Sequence, residues 1–262
     1  MNVVPILNYH GIEKQEGEYV WSETERPYVI STGNFSRQFD FLSANQFKSL
    51  SSDELGQWLM GSFPCERPMV LTFDDGHVSH YEHVAPMLKA RNFKAIFFVP
   101  AGLVGQSHQM TWEQLKELVR NGFEIGSHGF SHVPLSNLTH HELWKELERS
   151  KLVLENRLGI KVKSFSVPRG YYQLRIREAA LDLGYRFIFT SRFDINYRKQ
   201  DHLRLNRLVV KRRLSFNRFT QIVRGDLGYI RVLEKAKETA RRFLKPSFYD
   251  ALADVKRLLT HG

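Results

Sequence analysis

Short, almost continuously apolar runs recur along this chain with helix-like stretches between them, and that alternation leaves few folds open. The runs are Val3–Asn8, Phe47–Leu50, Met69–Phe73, Ala95–Val99, Phe123–Gly126, Ser164–Val167, Phe187–Thr190 and Leu208–Val210. They have the length of strands and the unbroken hydrophobicity of strands covered on both faces. Helical spacing fills 34–45, 52–60, 79–91, 112–121, 140–158 and 173–183. Thr111 with Gln114, and Thr139 with Glu142, supply capping boxes at two of these starts. Leu143, Leu147, Leu154 and Leu158 then line one face of the 140–158 helix before Gly159 stops it. Alternation of this kind predicts an α/β fold built on a parallel sheet or barrel.

No apolar run approaches the roughly 18 residues of a membrane span, and the opening residues read as a first strand rather than a signal peptide. Cys65 is the sole cysteine, which excludes an internal disulfide and a thiolate metal cluster. Pro64 and Pro68 around it mark a connecting loop. These features suit the cytoplasm. The formal charge of +10 is unevenly spread: residues 198–262 hold 17 Lys/Arg against 6 Asp/Glu, so the 197 residues before them are close to neutral. We divide the chain into a barrel over 1–225 and a basic extension over 226–262, whose amphipathic helices at 227–244 and 247–260 are separated by Pro246. Such an extension could meet an anionic membrane surface or lie in solvent. It lacks the aromatic stacking array and readout motifs of nucleic-acid binding, and no nucleic-acid partner is expected.

Polar residues fall where the strands end. His10 follows the first run, Asp74-Asp75-Gly76 the third, Pro100-Ala101-Gly102 the fourth, Ser127-His128-Gly129-Phe130-Ser131-His132 the fifth and Pro168-Arg169-Gly170 the sixth. In a parallel barrel all of these lie on the C-terminal face, where active sites assemble. Two histidines and a carboxylate make a divalent-metal site with room for water. His128 and His132 are four apart and would face one way on a helical turn, while Asp75 arrives from another strand. Asp74 is then the group to take a proton from that water, and Gly76 permits the tight turn that brings both carboxylates inward. Taken singly, Asp-Asp-Gly is an ordinary turn signal and a His pair four apart is more often helix surface. Their meeting on one predicted face favours chemistry. His140 and His141 sit in a helix's first turn and receive no role.

Thr72-Phe73-Asp74-Asp75-Gly76 and Ser127-His128-Gly129-Phe130-Ser131-His132 resemble the first two motifs of the polysaccharide deacetylases, carbohydrate esterase family 4, with similarity from about Pro5 to Val210. The resemblance implies a distorted (β/α) barrel of about seven strands and removal of acetyl groups from N-acetylglucosamine-type polymers. It implies Asp74 as base, and Asp75, His128 and His132 as ligands of zinc or of nickel, cobalt or manganese. The family's third motif, Arg-x-Pro-aromatic-Gly, is here Ser166-Val167-Pro168-Arg169-Gly170. Ser166 replaces the arginine that orients the base and can offer it only a neutral hydrogen bond, while the Arg169 N–H still serves as an oxyanion donor. The family's acid is a histidine in a late Leu-x-His segment, and Arg207-Leu208-Val209-Val210 holds none. That departure, with Asn8-Tyr9-His10-Gly11-Ile12, is similar to the poly-N-acetylglucosamine deacetylase branch. His10 becomes the candidate on the acid side and His202 a weaker one. Trp112, Phe130, Pro168 and Tyr171, just beyond strand ends, are the candidate sugar contacts, under a loop formed by residues 13–33. The leading expectation is a metal-dependent N-deacetylase of a glycan or of a glycan-biosynthesis intermediate. Its rival is a non-catalytic carbohydrate-binding relative.

Overall fold

A computed structural model of the chain describes residues 2–228, 231 and 232. The chain divides into compact units at Gly225/Asp226, and all that follows concerns the first. The helices expected at 227–244 and 247–260 lie almost wholly outside the described residues.

The main sheet contains β1 (Ile6–Tyr9), β2 (Lys48–Ser49), β3 (Pro68–Phe73), β4 (Ile96–Val99), β5 (Glu124–Ser127), β6 (Ser164–Ser166), β7 (Phe187–Phe189) and β8 (Leu208–Val209). A path of seven strands runs β7-β6-β5-β4-β3-β1-β8, with β2 paired to the start of β3, and every pairing is parallel. Leu205 bridges Phe189 at one edge, while Leu208 and Val209 pair with β1 at the other. One short stretch thus touches both edges, and the sheet curls into the distorted barrel that the sequence implied.

Helices α1 (Thr32–Ala44), α2 (Ser52–Met60), α3 (Ala85–Ala90), α4 (Trp112–Arg120), α5 (His140–Leu158) and α6 (Leu174–Asp182) fill the connections. The 79–91 segment is less regular than expected, opening with a π-turn over His80–Val84 before α3. A seventh helix, α7 (Phe216–Val223), was not anticipated; Ser215 caps it through the Arg218 N–H. The Thr139–Glu142 box fixes the start of α5 and left-handed Gly159 its end.

Side-chain alternation along the strands decides what reaches the site. Tyr9, Phe73 and Phe97 point outward and stack with centroids 5.3 and 5.1 Å apart, and Phe35 and Phe39 of α1 pack on Tyr9. Ile6, Val70, Ile96, Phe98 and Phe189 point inward, where Leu55 and Trp58 of α2 join them in one buried cluster. Asn8, Thr72 and Asp74 continue those inward rows, so the same parity that fills the core carries polar groups to its mouth. Gly126 has its place in this packing, since a Cβ there would lie 2.5 Å from the Phe98 ring.

Candidate active site

Asp74 leaves the end of β3, its N–H donating to the Tyr9 carbonyl (3.0 Å), and its side chain is 4% exposed. A carboxylate so buried requires partners. Arg207, entirely buried just ahead of β8, donates from Nη1 to Oδ1 and from Nη2 to Oδ2, both at 2.8 Å. Ser166 Oγ donates to Oδ2 (3.2 Å) while accepting from Arg207 Nη2 (2.9 Å), and Asn8 Nδ2 reaches the same oxygen at 3.3 Å. The Arg207 Nε–H donates to the Thr190 carbonyl (2.9 Å), so the guanidinium has no slack. Burial pushes the Asp74 carboxyl up, but Arg207 and then His128 outweigh it and hold the carboxyl down at about 2. The place of the arginine absent at position 166 is therefore filled by Arg207, in a fork that sequence reasoning did not anticipate. Ser166 supplies the neutral bond expected of it.

Asp75 and Gly76 both adopt left-handed backbone (φ 76° and 67°), which turns the chain sharply and sends the Asp75 side chain across the mouth. Asp75 Oδ1 lies 3.3 Å from His128 Nε2 and 3.1 Å from His132 Nε2. Burial raises the Asp75 carboxyl, yet the bonds from His128 and His132 win and hold it well below the usual carboxylate range. Burial would depress His132, but its bond to Asp75 outweighs that and raises it. His128 and His132 do not share a helical turn, contrary to expectation. Residues 128–132 are irregular, with left-handed Gly129 (φ 76°) and His132 (φ 60°) folding the loop back on itself. The imidazoles converge nonetheless, with ring centroids 4.9 Å apart.

The residues fit a divalent ion. One donor atom each from Asp75, His128 and His132 lies within 4.8 Å of the others. Tetrahedral bonds of about 2.0–2.2 Å would place such atoms about 3.4 Å apart, close to the two separations above. His128 Nδ1–H donates to the Ser166 carbonyl (2.9 Å), which leaves the Nε2 lone pair for a ligand.

His10 stands beside this group. Its ring packs on Tyr28 at 5.0 Å, its Nδ1 is buried without a partner, and it feels the charges of Asp75, Asp74, Arg207 and His128. Burial lowers it against the pull of the two aspartates. Trp21, from the 13–33 loop, covers Gly11 so closely that a Cβ there would meet its ring at 2.4 Å. His202 is elsewhere: its ring accompanies the Arg186 carbonyl and its own carbonyl accepts from Ile188 N–H, at the opposite end of β7. Arg169 is exposed and left-handed (φ 55°), following the buried Pro168, whose ring would be 3.6 Å from a Cβ on Gly129. Tyr171 is half-buried just beyond. Trp112 and Phe130 have their partners on α5, in Arg157 (5.7 Å) and Arg149 (3.8 Å). Burial pushes the Cys65 thiol up, away from nucleophilic use.

Behind the site, His80 is fully buried, with Nε2 at 2.7 Å from the His10 carbonyl and Nδ1 unpartnered. Burial lowers it to about 4. Its folded value thus lies below the unfolded 6.5, so its stabilisation is complete above about pH 6.5 and drains away as pH falls towards 4. Between pH 7 and 4.5 the wild type should lose about 2 kcal/mol more than His80→Gln in urea denaturation. Equal losses would contradict a neutral buried imidazole.

Residues 63–188 match the polysaccharide deacetylase family. The chain carries a polysaccharide deacetylase domain. The Bacillus subtilis (strain 168) protein YxkH, assigned to the same family, is 29% identical over 79% of this chain and 80% of its own length. The poly-beta-1,6-N-acetyl-D-glucosamine N-deacetylase of Staphylococcus aureus (strain MSSA476) is 25% identical over 63% of both chains. Among solved structures, the deacetylase PplD of Streptococcus pyogenes, in complex with acetate, is 26% identical with a TM-score of 0.75, covering 84% of this chain and 97% of its own. IcaB from Ammonifex degensii is also 26% identical, with a TM-score of 0.74 over 87% and 98%. The deacetylase domain thus has the barrel of known hydrolases. Among its described residues no helix is long and apolar enough to cross a membrane.

Proposed function

We propose that this deacetylase domain is a divalent-metal-dependent N-deacetylase acting on a β-linked N-acetylglucosamine polymer or its biosynthetic precursor. The observation that carries the proposal is the meeting of Asp75, His128 and His132 donor atoms within 4.8 Å, next to an aspartate that is not needed as a ligand. The staphylococcal relative's activity supports the substrate class.

Asp75 Oδ1, His128 Nε2 and His132 Nε2 would hold the ion, which when bound supplies Lewis acidity towards water and the amide carbonyl. Asp74, clamped by Arg207 and Ser166, presents a fixed carboxylate to accept the proton of the attacking water. The Arg169 N–H, on the turn facing the His128 loop, is the donor to the developing oxyanion. The proton that Asp74 takes from water is the one the departing amine needs on C–N cleavage, and His10, unpartnered at Nδ1, is the group that orients that amine to receive it. Pro168 and Tyr171 form the wall against which the sugar rests. Trp112 and Phe130 are given no sugar contact, because their rings are engaged with α5.

The rival reading, a carbohydrate-binding relative without turnover, is favoured by one observation: the segment entering β8 brings an arginine rather than an imidazole to the site. Acetate release decides between them. β-1,6-linked and β-1,4-linked N-acetylglucosamine oligomers should release acetate, lose that release on chelation and regain it with zinc, cobalt, nickel or manganese. Metal binding without acetate from any oligomer would overturn the enzymatic reading and support the rival.

A further inference from the structure

The loop that carries both histidines is not self-supporting. It runs between β5 and α5 with left-handed backbone at Gly129 and at His132, the latter a non-glycine residue that is strained in that conformation. Its polar backbone groups are met by the Ala101 and Gly102 N–H groups, which donate to the Gly129 (3.1 Å) and Phe130 (2.8 Å) carbonyls, and by two side chains one turn apart on the same face of α5. Ser150, fully buried, donates from Oγ to the Gly129 carbonyl (2.8 Å) and pairs with Ser127 Oγ (2.7 Å), which in turn accepts from the Gly129 N–H (3.2 Å). Glu146 reaches further along the loop. Its Oε1 accepts from the Phe130 N–H (2.8 Å), the Ser131 N–H (2.6 Å) and Ser131 Oγ (3.0 Å), and its Oε2 also accepts from Ser131 Oγ (3.0 Å).

Glu146 thus gathers the donors of the two residues immediately before His132. Bonds to a carboxylate are about twice as strong as neutral ones, and these oppose the relaxation of a strained backbone. Space is tight as well, since a Cβ on Gly129 would lie 3.1 Å from Glu146 Oε1. His132 needs such support. It is the more exposed of the two imidazoles, 29% against 3%, and its Nε2 meets the site only through Asp75, whereas His128 is also anchored by the Ser166 carbonyl.

We infer that Glu146 is a positioning residue for His132 and so sets the affinity of the site for its divalent ion. The inference rests on the metal-site reading proposed above. It is tested by zinc affinity, measured by competition with a chromophoric chelator, and by the visible spectrum of the cobalt-loaded protein. Glu146→Ala should weaken zinc binding about 10- to 100-fold, the usual effect of removing an outer partner of a ligand, and should shift the cobalt spectrum towards that of His132→Ala. Glu146→Gln keeps an acceptor at the Oε1 position and should recover most of the loss. Glu146→Asp keeps the charge but not the reach, and should behave like alanine; it stands in if the alanine variant fails to fold. Glu148→Gln, on the same helix without those bonds, should bind zinc as the wild type does. In a His132→Ala background Glu146→Ala should add no further loss. Wild-type affinity in both Glu146→Ala and Glu146→Asp, or an undiminished loss in the His132→Ala background, would overturn the inference. A wild type that binds no zinc would instead overturn the metal-site reading, and this inference with it.

Discussion

Replacing Arg207 with methionine should destabilise the folded protein by about 3–5 kcal/mol, the usual cost of leaving one member of a buried ion pair behind. Methionine fills much the same volume and is apolar, so the loss comes from Asp74 rather than from a cavity. At 4% exposure the carboxylate would keep only Ser166 Oγ and Asn8 Nδ2, both longer than 3.1 Å. The guanidinium that holds Asp74 at about 2 would be gone, so its carboxyl must rise. A folded value held below the unfolded 3.9 gives stability that is present above about pH 4 and lost as pH falls through 2. In Arg207→Met that acid-side loss should shrink or reverse. Urea denaturation under chelation at pH 7 measures the first effect, and the same titration at pH 3 the second. The double variant Arg207→Met with Asp74→Asn should recover a large part of the loss, because neither charge then remains buried alone. A single-variant cost below about 1 kcal/mol would mean that the fork does not carry the charge balance assigned to it.

Arg207 also marks where the sequence stopped being readable. The barrel was legible because strand and helix periods alternate, and because α5 announces both its ends through Thr139, Glu142 and Gly159. Asp74 and Asp75 were legible because they sit together, directly after a strand, in a pattern that already contains their turn glycine. Arg207 lies 133 positions from Asp74, and only barrel closure brings the two together. A signal did exist: an arginine heading a buried strand is rarely fully buried unless paired, and Ser166 left a pairing to be filled. The His128–His132 spacing pointed to converging rings by a wrong route, since left-handed Gly129 and His132 rather than a helical turn bring the rings together. Trp112 and Phe130 show a different limit. Proximity to a strand end says that a ring is on the right face of the barrel, but not which way it points. Both turn to arginines on α5, whose register no local pattern reveals.

Asp74→Asn should lower kcat for acetate release about 10²- to 10⁴-fold, the range over which a positioned base contributes, while zinc affinity stays close to that of the wild type. The two readouts separate because Asp74 and the ligand group are adjacent but distinct: Asp74 Oδ2 is 3.9 Å from His128 Nε2, whereas Asp75 Oδ1 is within 3.3 Å of both imidazoles. Asparagine has nearly the same shape and can keep one oxygen on Arg207, so the backbone turn at Asp75 should survive. What it cannot do is accept a proton. Its amide nitrogen would also face an Arg207 donor, leaving the guanidinium partly unpaired, so some loss of stability is expected and must be measured beside kcat. The His132→Ala variant should give the opposite pattern, with zinc affinity lost while Asp74 remains clamped. If Asp74→Asn retained more than about a tenth of wild-type kcat, proton transfer would have to be assigned to another group. His10 would be the first to test, as the unpartnered imidazole that already senses both aspartates.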